Sequence, residues 1–312
     1  MAERKNPTFW SVFNVPYGGG YGPLNLATPR GARRAPRALQ KEFNRQNIFI
    51  ADNGVSYWQN VLWEDICLWL WQQNCVDAWD DMEEEISDRV SYFYSRFDKF
   101  DVKTLFLGGS HSITAATYSA IANTYERRNT GLILLDAHPD CCNKADWPIH
   151  SDWLRWLIRG ARVSPENILI IGLRQIERAE KDFLDSKGIN YYLMDSVKPG
   201  VYEFSTNINT FMINDRSMAL ALEKLRRLNA IYLSIDIDVA SGVFAPGTGC
   251  PSPGGFTDTE LINFVKKLKV ALPNIVAADI VEINPLKWWQ RLILPYDATV
   301  DLGVKLIKEI IS

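Results

Sequence analysis

Only three histidines occur in 312 residues, at positions 111, 138 and 150, and cysteine is nearly as scarce, with five. The cysteines at 67, 75, 141, 142 and 250 show no C-x-x-C spacing, which argues against a cysteine-rich zinc site and a disulfide framework and leaves mostly free thiols. A surplus of one charge sign is also lacking. The formal net charge is -3, so neither nucleic acid nor an anionic membrane is indicated as a partner, and basic pairs such as Arg33-Arg34 and Arg226-Arg227 read as solvated surface. No apolar run approaches the roughly 18 residues of a membrane span, and the opening "MAERKNPTFW" holds no apolar signal core, so a cytosolic protein is expected. Low-complexity linkers and fixed-period repeats are absent too. Residues 1–312 are therefore expected to form a single domain, and with 47% hydrophobic residues it can bury a large core.

What is present in quantity is a recurring unit: a short aliphatic run, ended by Gly or Asp, then a helix-like segment. The runs are Phe9 to Val15, Thr104 to Leu107, Leu132 to Leu135, Ile168 to Ile171, Ile189 to Leu193, Ile231 to Ile235 and Ile275 to Ile280. Continuous apolar strands alternating with amphipathic segments predict a doubly wound α/β fold, a parallel sheet covered by helices on both faces. The segment Trp58 to Phe100, with "LWLWQQNCVDAW" before the acidic "DDMEEE", reads as helical, and its tryptophans as packing residues.

The polar residues gather where such strands end, which is where ligands bind in open parallel sheets. In "LLDAHPD", Asp136, His138 and Asp140 occupy alternate positions, and alternate residues of an extended chain share a face. Asp236 and Asp238 repeat the device in "LSIDIDV", and "LFLGGSHSIT" sets His111 after a glycine turn. A lone strand-end Asp is ordinarily a helix cap, but four carboxylates aimed at one region repel unless a positive group neutralises them. Bound metal meets that need. Two His and four Asp are too many for one structural zinc, and an oxygen-rich set suits a pair of Mn(II) ions, with Fe, Co or Ni as alternatives.

These segments together resemble the ureohydrolase family, the arginases and agmatinases, across nearly the whole chain. "GGSHS" is similar to the family's G-G-D-H-S, "DAHPD" to D-A-H-x-D, and "SIDIDVASGVFAPGTGCPSPGG" to S-x-D-x-D running into A-P-G-T-G-x-P-x-P-G-G. "GARRAPRAL", "IGLRQ" and "VEINP" resemble the remaining family elements. The resemblance implies a three-layer α/β/α sandwich with a central, mostly parallel sheet, trimers or hexamers, and a binuclear manganese centre held by His111, Asp136, His138, Asp140, Asp236 and Asp238. It implies that Asp140, His150 and Glu282 serve catalysis, with Glu282 pairing with a substrate guanidinium and His150 shuttling protons. The implied reaction is hydrolysis of a guanidino group to urea and an amine such as ornithine.

Departures from the pattern bear on substrate and metal. Ser110 stands where the family has Asp, and Ala240 to Gly242 replace x-D-P, so the groups that orient the ligands differ. Cys142 takes the position of the Asn that arginases use for the α-amino acid end, and the loop before His150 is not serine-rich. Free arginine is therefore a poor expectation as substrate. Trp147, Trp153, Trp288 and Trp289 flank the expected site, the last two in the insertion "LKWWQRLIL", and aromatic walls suit arginine within a peptide, with agmatine or a related guanidino compound as further candidates. A formimidoylglutamate-type amidine hydrolase and a non-catalytic relative acting as a binding partner are the competing readings. A related-fold deacetylase is disfavoured by the lack of a His-His pair.

Overall fold

The strands at the middle of the sheet are buried on both faces, which is why they read as continuous apolar runs rather than alternating ones. The computed structural model describes residues 9–18, 31–46, 61–65, 76–96, 102–143, 146–197, 216–287, 290 and 296–312. Within them lie eight strands: β1 (Phe9–Val15), β2 (Val61–Asp65), β3 (Val102–Gly108), β4 (Thr130–Leu135), β5 (Ile168–Leu173), β6 (Asn190–Leu193), β7 (Ala230–Asp236) and β8 (Ile275–Val281). They form one sheet in the order β2-β1-β3-β8-β7-β4-β5-β6, and every pairing is parallel. The expected "mostly parallel" sheet is wholly parallel among the described strands.

Nine α-helices accompany it among the described residues: α1 (Ala35–Arg45), α2 (Val76–Arg96), α3 (Ile113–Tyr125), α4 (Trp153–Arg159), α5 (Arg178–Lys187), α6 (Met194–Val197), α7 (Arg216–Arg226), α8 (Asp258–Ala271) and α9 (Ala298–Ile311). Alternate strand residues point to opposite layers. Ile133 and Leu135 pack with Leu39, Leu222, Val265 and Ile307 of α1, α7, α8 and α9, while Leu132 and Leu134 pack with Met82, Tyr118, Leu157 and Leu184 of α2, α3, α4 and α5. The result is the three-layer α/β/α sandwich.

One expectation fails in part. The stretch read as helical from Trp58 to Phe100 divides into strand β2 and helix α2, and the rest of it lies outside the described residues. Val61–Asp65 is drawn into the sheet by parallel pairing with β1, a long-range contact that overrides the helical look of its neighbours. The run at Ile189 begins one residue later, at Asn190.

Candidate metal centre

Four adjacent strands, β3, β8, β7 and β4, deliver the polar residues to one end of the sheet. His111 follows β3, Glu282 follows β8, Asp236 ends β7 and leads to Asp238, and Asp136, His138 and Asp140 follow β4. The turn at Gly109 needs its glycine, since a Cβ there would lie 2.1 Å from the Tyr17 carbonyl oxygen. That close approach lets Ser110 N donate to Tyr17 O and sets His111 at the mouth of α3.

The six residues meet as two groups that share a carboxylate. His111, Asp136 and Asp140 form one, Asp136, His138 and Asp238 the other, with the ligating atoms of each within 4.8 Å of one another. Asp236 joins the first group through its Oδ2, 3.1 Å from His111 Nδ1. Around that same nitrogen stand Asp136 Oδ2 at 3.2 Å and Asp140 Oδ2 at 3.0 Å. His138 Nδ1 lies 3.0 Å from Asp238 Oδ2.

Backbone donors aim most of these carboxylates. Asp136 Oδ1 accepts from His138 N (2.7 Å), Asp236 Oδ1 from Asp238 N (2.9 Å), and Asp238 Oδ1 from Ala137 N (3.1 Å), leaving Oδ2 of each for the centre. A single ring N–H cannot serve three oxygens. His111 Nδ1 and Asp136 Oδ2 are in fact buried without a hydrogen-bond partner, so the donor set fits a cation better than a proton. Burial and the Asp238 and Asp136 charges push the Asp236 carboxyl well above its usual range. Burial opposes the charged form of His138, yet Asp136 and Asp238 outweigh it and raise its pKa strongly. Such a crowd of acids is costly without added positive charge.

Behind the imidazole of His111 runs a network that sequence reading missed. Ser234 Oγ donates to Asp279 Oδ1 (2.7 Å), so its lone pair accepts from His111 Nε2 at 3.1 Å, which leaves Nδ1 for the centre in the neutral ring. Thr114 and Tyr232 hydroxyls donate to Asp279 Oδ2 at 2.7 and 2.8 Å, satisfying a fully buried carboxylate. His138 Nε2 in turn meets Gln175 Oε1 at 3.2 Å. The run "AADIVEINP" carried one signal for Asp279, a lone acid inside an apolar strand.

Glu282 has φ +61°, an unfavourable conformation for a non-glycine residue, and its Oε1 accepts from His111 N at 2.7 Å. Burial pushes its carboxyl up to about 8 against the pull of that hydrogen bond, with Asp140 and Asp238 adding to the rise. Arg174, from "IGLRQ", fastens the chain after β7: its guanidinium donates to the carbonyls of Asp238, Val239 and Ala240 and to Ser252 Oγ.

A family model for the arginase family matches residues 11–312. The chain belongs to the arginase family. An arginase from Staphylococcus aureus (strain MRSA252) is 31% identical over 225 residues, 68% of this chain and 67% of that protein. Across the curated arginases from S. aureus the matched stretch spans 60–67% of their length. Among solved structures, formimidoylglutamase from Bacillus subtilis subsp. subtilis str. 168 superposes with TM-score 0.76 at 22% identity, covering 98% of this chain and 87% of its own. Arginase from Bacillus caldovelox superposes with TM-score 0.71 at 25% identity, covering 98% of both chains. The likeness covers nearly the whole chain, so the sheet and its helices are those of the arginase-family fold.

Other expected residues fall elsewhere. His150 sits half-buried in the turn before α4 and is in neither ligand group among the described residues. Ser110, in place of the family's Asp, is buried with its Oγ 3.1 Å from Ser112 Oγ. The Ala240 to Gly242 segment, in place of x-D-P, runs against the glycine-rich loop, where a Cβ on Gly255 would meet Ala240 C at 2.5 Å. Of the four tryptophans expected to wall the site, two lie within the described residues. Trp153 is fully buried and Trp147 packs half-buried on the core, while Trp288 and Trp289 lie outside the described residues. No described helix is long and apolar enough to cross a membrane.

Proposed function

We propose that the chain is a single-domain, manganese-dependent hydrolase that cleaves a guanidino group to urea and an amine. The observation that carries this reading is the pair of His-and-carboxylate groups sharing Asp136, in a chain of the arginase family. His111, Asp136, Asp140 and Asp236 would hold one ion, and His138, Asp136 and Asp238 the other. Bound there, two divalent cations would supply a water activated at neutral pH.

The remaining roles belong to the protein. A guanidinium is planar and offers parallel N–H donors, which a carboxylate accepts in pairs, and Glu282 is the buried carboxylate beside His111. Cations in the centre and the substrate's own charge both favour its ionised form over the protonated one that burial favours. The departing amine needs a proton as the bond to carbon breaks, and His150 in the adjoining turn is assigned to deliver it. Asp140 orients the attacking water beside His111.

Cys142 favours a substrate without a free α-amino acid end. Its thiol lies 3.0 Å from Glu180 Oε1, so the side chain is turned to a carboxylate of its own chain. Agmatine, or arginine within a peptide, fits this better than free arginine. The test is urea release by the Mn(II)-loaded protein against arginine, agmatine, a guanidino acid and an arginine-containing peptide. Urea from agmatine or the peptide is expected, and Asp238→Ala should abolish it. No urea from any of the four, with formamide released from formimidoylglutamate instead, would replace this reading.

A further inference from the structure

Of the four carboxylates in the two ligand groups and their Asp236 neighbour, three are held by backbone N–H groups, and Asp140 is not. Its Oδ2 accepts from the indole Nε1 of Trp153 at 2.7 Å, on a side chain with no exposed surface. This is the same oxygen that stands 3.0 Å from His111 Nδ1. The Trp153 ring also lies against the His111 imidazole, with centroids 4.8 Å apart and planes inclined at 41°. One buried side chain therefore touches two members of the His111 group, through its donor and through its face.

The backbone beneath Asp140 needs such support. Asp140 has φ +50° and Asn143 φ +66°, both in the left-handed region that non-glycine residues rarely occupy. The first turn of α4 ties this loop down from above. Leu154 N donates to Asp140 O (3.2 Å), Arg155 Nε to Cys141 O (2.8 Å), Cys142 N to Ser151 O (3.1 Å), and Asn143 N to Asp152 Oδ1 (2.8 Å). These bonds fix the main chain of the loop. Among the described contacts, the carboxylate itself is met by the indole N–H and by His111 Nδ1, and only the first comes from outside the ligand group.

We propose that Trp153 is the positioning residue of the His111-side ion: its N–H sets the carboxylate of Asp140, and thereby the affinity of that one site. The proposal rests on the two-ion reading above. It also explains why a tryptophan is buried here rather than lining a substrate cleft. Ligating carboxylates are themselves hydrogen-bonded in metal sites, and removing that outer bond typically lowers metal affinity about 10–100-fold. Asp140 appears in the His111 group and not in the His138 group, so the loss should fall on one ion.

The experiment is Mn(II) binding by isothermal titration calorimetry on the full-length wild type and on Trp153→Phe, which keeps an aromatic ring against His111 and deletes the donor. Trp153→3-benzothienylalanine, introduced by codon suppression, replaces N–H with sulfur at nearly constant shape and guards against misfolding of the phenylalanine variant. Thermal unfolding of each metal-free protein is recorded alongside. The expected result is two binding events in the wild type and, in both variants, about a 10–100-fold loss confined to one event, with the metal-free melting of the benzothienyl variant unchanged. Two unaltered events in the benzothienyl variant would make Trp153 core packing only and overturn the proposal. Equal loss at both events would overturn its restriction to one site. Absence of binding by the wild type would instead defeat the metal reading on which it rests.

Discussion

His111 carries the densest set of constraints on any side chain of the centre: three carboxylate oxygens near Nδ1, a serine at Nε2, and a carboxylate on its own backbone N–H. The contact at Nε2 decides which nitrogen is free. Ser234→Ala should therefore lower Mn(II) affinity about 10–100-fold, measured by equilibrium dialysis, because the imidazole loses the acceptor that orients it. Unchanged affinity would show that the Asp279 network is only core packing. Glu282→Gln should act differently, keeping both ions and weakening guanidino substrate binding by about 2–5 kcal/mol, seen chiefly as a raised KM. If metal content fell instead, Glu282 would be holding the centre together through His111 N rather than receiving substrate. The ligand candidates themselves were legible because D-x-H-x-D and D-x-D place carboxylates on one face of an extended chain. Ser234 and Asp279 were not, since their partners lie 123 and 45 residues away along the chain and meet only once the sheet closes, and Trp153 was read as part of an aromatic wall rather than as a donor to Asp140.

At the level of elements, seven of the eight strands could be read from apolar runs, most plainly β4, β5 and β7, whose full burial on both faces leaves an unmistakable composition. Strand β2 was hidden, a five-residue edge strand beside tryptophan-rich sequence whose place is set by β1. The role of Arg174 was equally hidden, as carbonyl acceptors have no sequence signature. Its bonds to the carbonyls of residues 238–240 tie the chain between β7 and the glycine-rich loop, and Arg174→Ala should destabilise the metal-free protein by about 3 kcal/mol in urea unfolding. A loss below about 0.5 kcal/mol would mean that the loop holds itself. A second clamp joins α1, α8 and α9. Burial raises the Asp301 carboxyl, but the Tyr296 hydroxyl, Lys305 and Gln46 more than offset this and hold its pKa below the usual value. A carboxyl lowered in the folded state stabilises it above the unfolded pKa of about 4 and loses that contribution as pH falls through the folded value. Asp301→Asn should thus melt below the wild type at pH 6, and the gap should narrow as pH falls below about 4. A gap of the same size at every pH would assign the effect to packing.

For the whole molecule, the sheet order places β3, β8, β7 and β4 side by side, so residues separated by more than 170 positions share one small volume. The cost of gathering four buried aspartates is the central physical fact of the fold, and added positive charge is its natural remedy. Binding to the folded chain alone stabilises it in proportion to RT ln(1 + [L]/Kd). Saturating Mn(II) should accordingly raise Tm by several degrees, and a chelator should reverse the rise. The most direct test is an anomalous difference map, collected at the manganese edge, from crystals of the Mn(II)-loaded protein. The account predicts two peaks on either side of the Asp136 carboxylate, one beside His111 and one beside His138. A single peak, or a map without peaks in this cluster, would contradict a two-ion centre and with it the proposed hydrolysis.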